Sequence, residues 1–437
     1  MNNLRLLAGM LCVCLSGVGV CAYGQRVITL EEIYMVAETN SAGLRTAYAS
    51  EQEAQRQLSV SRAGRLPDIS ASLSVSVNGD GFTTARDFSD YQCAPIPRFG
   101  NNVGINITQP IYAGGAIASS IKVAELKSTA TRFATDLQRD NLRFRITGLY
   151  LDIYKFRNLR KVAESNLAAA HRVLDEMHAR HEQGTVLLND ITRYELLVSN
   201  LGLQIVNIDN NLRIFNDNLV TTAGLPEGTV IVPDSTMLLK VQEMPALEQC
   251  QHEAVMASPR LKLARNGVDI SRSAEALARA ERLPKVGLEA GWSFGGPILT
   301  EVPPINRNLS YWYVGLGVSY NISSLYKGNK SLARSRAATL VAQNELEMVN
   351  EDVSLEVNEA YIRWQESQVE LDTRDKEVEL AMRNYRTVAT RYGAGMALIT
   401  DLLDAANARL DAEQRLVNAR INIIYSYYRL LFTIGKI

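Results

Sequence analysis

Three sequence landmarks recur in the same order about half a chain apart, and this duplication restricts the fold more than any other feature. Arg65-Leu66-Pro67 returns as Arg282-Leu283-Pro284. Pro110-Ile111-Tyr112-Ala113-Gly114-Gly115 is echoed by Leu325-Tyr326-Lys327-Gly328-Asn329. Gly184-Thr185-Val186-Leu187-Leu188-Asn189-Asp190-Ile191 is echoed by Gly395-Met396-Ala397-Leu398-Ile399-Thr400-Asp401-Leu402. The offsets are 217, 214 and 211 residues. The chain therefore reads as a first repeat over 25–223, a connector over 224–247 and a second repeat over 248–437. The connector holds Pro226, Pro233 and Pro245, which mark an irregular link.

Each repeat carries two candidate strands, at about 68–78 and 102–112 in the first and 285–295 and 310–322 in the second. Ile69, Ala71, Leu73, Val75 and Val77 alternate with Ser70, Ser72, Ser74, Ser76 and Asn78. Successive side chains of a strand point to opposite faces, so one face is apolar and the other small and polar. Val103, Ile105 and Ile107 repeat the pattern, as do Val286, Leu288, Ala290, Trp292 and Phe294. The fourth strand presents Trp312, Val314, Leu316, Val318 and Tyr320 on one face. Strands of about ten residues match a tilted bilayer crossing, and Trp292, Trp312 and Tyr320 are the candidate aromatics for its interfaces. A soluble sheet with one buried face is the competing reading.

Helical stretches follow each strand pair. Residues 331–392 contain neither Gly nor Pro, and the matching stretch from Ile117 to Gln183 contains only Gly148. At 1.5 Å per residue such helices run on the order of 90–100 Å. Leu142, Leu149, Phe156, Ala163, Ala170 and Met177 form a heptad series, and Ile146, Ile153, Leu167 and Leu174 a second, interrupted by Arg160. Val357, Trp364, Leu371, Val378, Tyr385 and Tyr392 do the same in the second repeat. Seven-residue spacing predicts coiled-coil packing. Each long helix reaches a glycine turn, near 184 and near 395, and a second helix follows, which gives two antiparallel helix hairpins.

The first 24 residues read as a secretory signal peptide: Arg5, an apolar stretch from Leu6 to Val20, then Ala22-Tyr23-Gly24 before the cut. Lipidation at Cys21 is the alternative processing. Cleavage leaves Cys93 and Cys250, too few and too far apart for a disulfide framework. No later run of 18 apolar residues exists, so no transmembrane helix is expected. The formal net charge of -1 gives no basic face for nucleic acid.

Four strands cannot close a barrel, and open strand edges are not tolerated in lipid. Closure therefore needs several chains, and three supply twelve strands, an even number within the known range. The expected fold is a mixed α and β membrane protein: a trimeric 12-stranded β-barrel, four strands per chain, continuing into a long α-helical coiled-coil barrel.

These residues resemble the TolC-type outer-membrane efflux proteins over essentially the whole mature chain. The motifs that carry the resemblance are Gln109-Pro110-Ile111-Tyr112-Ala113-Gly114-Gly115 at a strand-to-helix junction and the two turns, GTVLLNDI and GMALITDLLDA. It implies a homotrimer in the bacterial outer membrane, contacting its lipid and extending into the periplasm. It also implies a tip that docks a periplasmic adaptor (membrane fusion) protein, linked to an inner-membrane transporter of the resistance-nodulation-division class. Conduction would be passive and no cofactor is expected.

The resemblance places Asp190, Asp401, Asp404 and Tyr392 at the periplasmic entrance. Asp401 and Asp404 are one helical turn apart, so threefold symmetry would stack two carboxylate rings that favour cations. The plainer reading is that Asp190 and Asp401 cap the helices that follow each turn. Family members carry an arginine two residues after the last turn glycine, where this chain has Ala397. Gly184, Thr185, Val186, Leu187 and Gly395, Met396, Ala397, Leu398 are the candidate adaptor contacts, because apolar tips suggest a partner; glycine-driven helix reversal alone is the competing account. His178 and His181 share a helix face and could hold a metal ion, though solvated helix residues are the simpler reading. No enzyme constellation is visible. The function expected is the passive exit duct of a tripartite efflux pump for small molecules. Type I protein secretion through the same tip is an alternative, and a periplasmic scaffold without a pore is the rival from another class.

Overall fold

A computed structural model describes residues 26–234, 244–301 and 304–437. The signal-peptide segment, Cys21 and part of the connector lie outside the described residues. The duplication is visible in the lengths of the elements. The first repeat runs α1 (Leu30–Asn40, 11 residues), α2 (Ala42–Ala63, 22), β2 (Asp68–Val77, 10), β5 (Phe99–Tyr112, 14), α3 (Ala116–Glu182, 67) and α4 (Leu188–Ala223, 36). The second runs α5 (Leu247–Ala257, 11), α6 (Pro259–Ala280, 22), β7 (Lys285–Gly296, 12), β8 (Leu309–Ser319, 11), α7 (Ser324–Gly393, 70) and α8 (Ile399–Thr433, 35). Short strands add to these: β1 (Arg26–Ile28), β6 (Ile231–Pro233), and a hairpin of β3 (Gly81–Thr83) and β4 (Gln92–Ala94).

The spatial units do not coincide with the repeats. One comprises the described residues within Met1–Leu44, Arg139–Leu247 and Asn358–Ile437; the other comprises Arg45–Gln138 with Glu248–Val357. Each draws on both repeats: the strand pairs join edge to edge through β5 and β7, and the helix hairpins pack their apolar residues together.

In the second of these units the four long strands form one antiparallel sheet in the order β2-β5-β7-β8. The register aligns the alternating patterns of all four strands. Ala71, Ile105, Trp292 and Trp312 form one cross-strand row, and Ile69, Ile107, Ala290 and Val314 the next. The opposite face has rows Ser72–Gly104–Ser293–Tyr311 and Ser70–Asn106–Gly291–Tyr313. Leu73, Val75, Val314 and Leu316 are exposed, so none of the described residues covers this part of the apolar face. β2 and β8 each have one strand partner, leaving two open edges.

Where β5 gives way to α3, Gly114 and Gly115 adopt positive φ of 63° and 85°. A Cβ at Gly114 would lie 2.7 Å from the Ala280 carbonyl oxygen, so only glycine fits this junction. The matching motif of the second repeat behaves differently. Gly328 lies inside α7 rather than at a turn, and the reversal falls to Asn321, whose Oδ1 accepts from the Ser323 N–H at 3.1 Å and its hydroxyl at 2.6 Å.

In the first unit, α1 starts at a capping box: Thr29 Oγ1 accepts from the Glu32 N–H, and Glu32 Oε2 accepts from the Thr29 N–H. Its Ile33 and Ala37 pack with Ile146, Tyr150, Leu151 and Ile153 of α3 and Leu219 and Ala223 of α4. Each fully buried aliphatic chain of this kind contributes about 1.5–3 kcal/mol. The Tyr150 hydroxyl donates to the Ile28 carbonyl and accepts from the Asp234 N–H, and burial pushes its pKa to about 12. Arg160, which interrupts one heptad series, is held by Asp209 of α4 at 2.8 Å and Glu164 at 2.9 Å.

Candidate functional site

The two hairpin turns are built identically from glycines in the left-handed region. Gly184 and Gly395 both have φ of 73°. The Gly184 and Thr185 N–H groups donate to the carbonyls of His181 and Arg180 at 2.8 and 3.0 Å. Those of Gly395 and Met396 donate to Tyr392 and Arg391 at 3.0 and 2.8 Å. This is the paired bonding of a Schellman motif, which satisfies carbonyls that the helix end would otherwise leave orphaned. Leu187 and Leu398, in extended conformation, then precede α4 and α8. Leu187, Leu188, Met396 and Leu398 are each between 64% and 70% exposed, so the turns present apolar side chains to solvent. Val186 and Ala397 are half-buried, and Thr185 is exposed.

Behind the turns all four long helices share one cluster. Met177 of α3, Ile191 and Tyr194 of α4, and Ile399 and Leu402 of α8 are buried, with Tyr385 and Tyr392 of α7 packed against them. Tyr392 lies next to Asp190: burial raises its phenol pKa, and the Asp190 charge raises it further. Asp190 is half-buried, whereas Asp401 and Asp404 are exposed. Asp401 Oδ2 accepts from the Leu398 N–H at 3.1 Å, so this carboxylate caps α8. A groove of about 700 Å³ runs between the turns, lined by Arg180, Asp190, Arg193, Tyr392 and Ala397 among others.

Sequence reasoning missed Arg180. Its guanidinium donates to the Gly393 carbonyl at 2.7 Å and pairs with Glu176 at 3.0 Å, joining the end of α3 to the end of α7. The signal available was a basic residue in the last turn before a glycine, which favours unpaired carbonyls. A second missed group lies deeper. Arg409 sits 4.9 Å over the Tyr385 ring and bonds Glu413, which accepts from Asn166 Nδ2 at 2.6 Å. Tyr194, hydrogen-bonded to Tyr385, is held protonated well above the ordinary tyrosine range by burial.

The histidines do not form a metal cage. His181 Nδ1 donates to the Val186 carbonyl at 2.7 Å, and His178 lies 3.9 Å from Glu195. Among the described residues no group of three or more metal-ligating side chains converges.

In the sheet, Trp292 and Trp312 stand directly opposite each other in register, and Trp292 Nε1 donates to Ser310 at 3.1 Å. Tyr320 follows the last residue of β8. The charged residues of the four strands, Asp68, Lys285 and Glu289, all fall on the face opposite the tryptophans. Among the described residues no helix is long and apolar enough to cross a membrane.

The model of a family described as outer membrane efflux protein matches residues 33–225 and 251–436, one segment per repeat. The outer membrane protein TolC of Vibrio cholerae serotype O1 is 23% identical over 410 residues, covering 93% of this chain and 91% of the relative. The outer membrane efflux protein BepC of Brucella suis biovar 1 is 20% identical over 426 residues, covering 97% and 89%. Among solved structures, the outer membrane protein VceC of Vibrio cholerae superposes with a TM-score of 0.78 at 15% identity, covering 93% and 96% of the two chains.

Proposed function

The chain belongs to the outer membrane efflux protein family and resides in the outer membrane, reaching into the periplasm, and from that premise we propose that three copies form the passive exit duct of a tripartite efflux pump for small molecules. The observation that carries this reading is the open sheet. Its apolar face is uncovered and its edges, β2 and β8, are unpaired. In a bilayer each unmet backbone group costs several kcal/mol, so the edges require partners. β8 of one copy pairing β2 of the next closes twelve strands, with the tryptophan face to lipid and the serine–glycine–asparagine face to water.

The helix hairpins then carry cargo through the periplasm, and the paired turns are the contact for the adaptor. The exposed Leu187, Leu188, Met396 and Leu398 are the chemistry such a partner would cover. Asp401 and Asp404 line the entrance as acidic rings, with Asp190 and Tyr392 behind them. With Ala397 in place of the family's arginine, Arg180 is the residue that ties the two hairpins in the resting state. Energy comes from a coupled inner-membrane transporter of the resistance-nodulation-division class.

The test is reconstitution of the purified protein in planar bilayers, with its mass measured in detergent. The expected result is a trimer with small resting conductance that rises when the tip contacts are cut. A stable monomer, or a trimer silent even after the tip is opened, rejects the duct.

A further inference from the structure

The polar face of the sheet is uneven. Most positions on this face are Gly, Ser, Asn or Thr; Tyr311 and Tyr313 of β8 carry its aromatic rings. Tyr313 stands directly opposite Gly291 of β7. A Cβ built on Gly291 would meet Tyr313 Cε1 at 2.5 Å, Cζ at 2.8 Å and the phenol oxygen at 2.9 Å. The ring therefore lies over bare backbone, leaning across the strand rather than standing up from the sheet as side chains ordinarily do. Two residues further along β8, at Gly315, the space above the backbone is open, with nothing within 4 Å of a built Cβ. The ring fills the seat at Gly291, and the position above Gly315 stays open.

Neighbouring pairs follow the same arrangement on a smaller scale. Gly317 is a seat for the Glu289 carboxylate, 3.3 Å from a built Cβ, and Gly104 for the Ser72 hydroxyl, at 3.0 Å. Among the described glycines only Gly291 seats a ring.

We propose that Gly291 and Tyr313 are the calibre-setting pair of the barrel: the glycine seats the ring flat against the wall, and the seat determines the largest solute that passes. The proposal rests on the exit-duct reading, in which the polar face lines the lumen and threefold symmetry places three Tyr313 rings at one level. Any side chain at 291 lifts the ring, and all three narrow the same cross-section together.

The experiment uses the full-length trimer with its periplasmic entrance opened by Arg180→Ala, and reads conductance and exclusion of neutral polymers of graded size. Gly291→Ala is expected to lower both conductance and size cut-off, and Tyr313→Ala to raise them. Adding Gly291→Ala to Tyr313→Ala should change nothing further, because the lifted group is gone. A second readout does not depend on conduction. Nitration by tetranitromethane, followed by peptide mass analysis, should rise at Tyr313 in Gly291→Ala while Tyr311, opposite Ser293, stays as it was. Where Gly291→Ala fails to assemble, Tyr313→Ala against Tyr313→Phe still decides, since only removal of the ring should widen the passage. Unchanged cut-off in the tyrosine variants, or unchanged nitration in Gly291→Ala, overturns the pair. Silence of every variant together with the opened background instead rejects the duct, and the nitration result then stands alone on whether the seat exists.

Discussion

Arg180 Nη2 donates to the carbonyl of Gly393 at 2.7 Å, binding residues 213 positions apart and tying the first hairpin to the second just before both turn. The Arg180 side chain is 30% exposed and also held by Glu176. After discounting for water, the link contributes about 1 kcal/mol per chain. Arg180→Ala is expected to raise resting conductance several-fold with only a small fall in thermal stability, and Arg180→Lys to restore part of the closure. Equal conductance in wild type and Arg180→Ala would show that the hairpins are held by other contacts.

Tyr194 is buried and bonded to Tyr385, and burial raises its pKa above the usual value of 10.0. The folded tip thus holds this proton more tightly than the unfolded chain does. Its contribution to stability is complete below about pH 10 and is lost as pH rises through the higher folded value. Melting temperature should therefore be level from pH 7 to 10 as far as this group is concerned, and fall above. Tyr194→Phe should flatten the alkaline limb, which a melting series in both proteins measures.

Asp401 caps α8 through the Leu398 N–H, and asparagine keeps that acceptor while removing the charge. Asp401→Asn with Asp404→Asn is expected to weaken block by multivalent cations while leaving stability within about 0.5 kcal/mol. Block titrations in bilayers check this, and unaltered block removes the two residues from the entrance.

Leu187 and Met396 stand 70% and 65% exposed at the two turns. Leu187→Asp with Met396→Asp should lower adaptor affinity at least about tenfold, the scale of losing central apolar anchors. Trimer mass and conductance should not change. Co-purification with the adaptor and substrate efflux in cells report the two effects separately.

Val314 lies mid-strand on the tryptophan face and Asn106 on the other. Val314→Arg should cost about 2–4 kcal/mol in a bilayer and block assembly, while Asn106→Arg is tolerated and shifts ion selectivity. Folding into liposomes, scored by protease resistance, distinguishes them. Equal tolerance of both would mean that neither face meets lipid.

The sequence alone determined the class of fold. Period-two alternation in Ile69–Val77 and Trp312–Val318, heptads from Leu142 to Met177, and a repeated glycine turn are local patterns, and each dictates one kind of element. Family membership was legible for the same reason, since the junction and turn motifs are contiguous. What the tertiary structure alone decided are the pairings between the repeats. β5 lies beside β7, Arg180 reaches Gly393, and Tyr194 finds Tyr385. None of these has a sequence signature, because each depends on register between segments roughly one or two hundred residues apart along the chain. The shared motif also misled once: Gly328 echoes Gly114 in sequence, yet it sits within α7 while Gly114 turns the chain. A motif specifies a turn only where the surrounding backbone requires positive φ. That requirement is created by packing, here of Gly114 against Ala280.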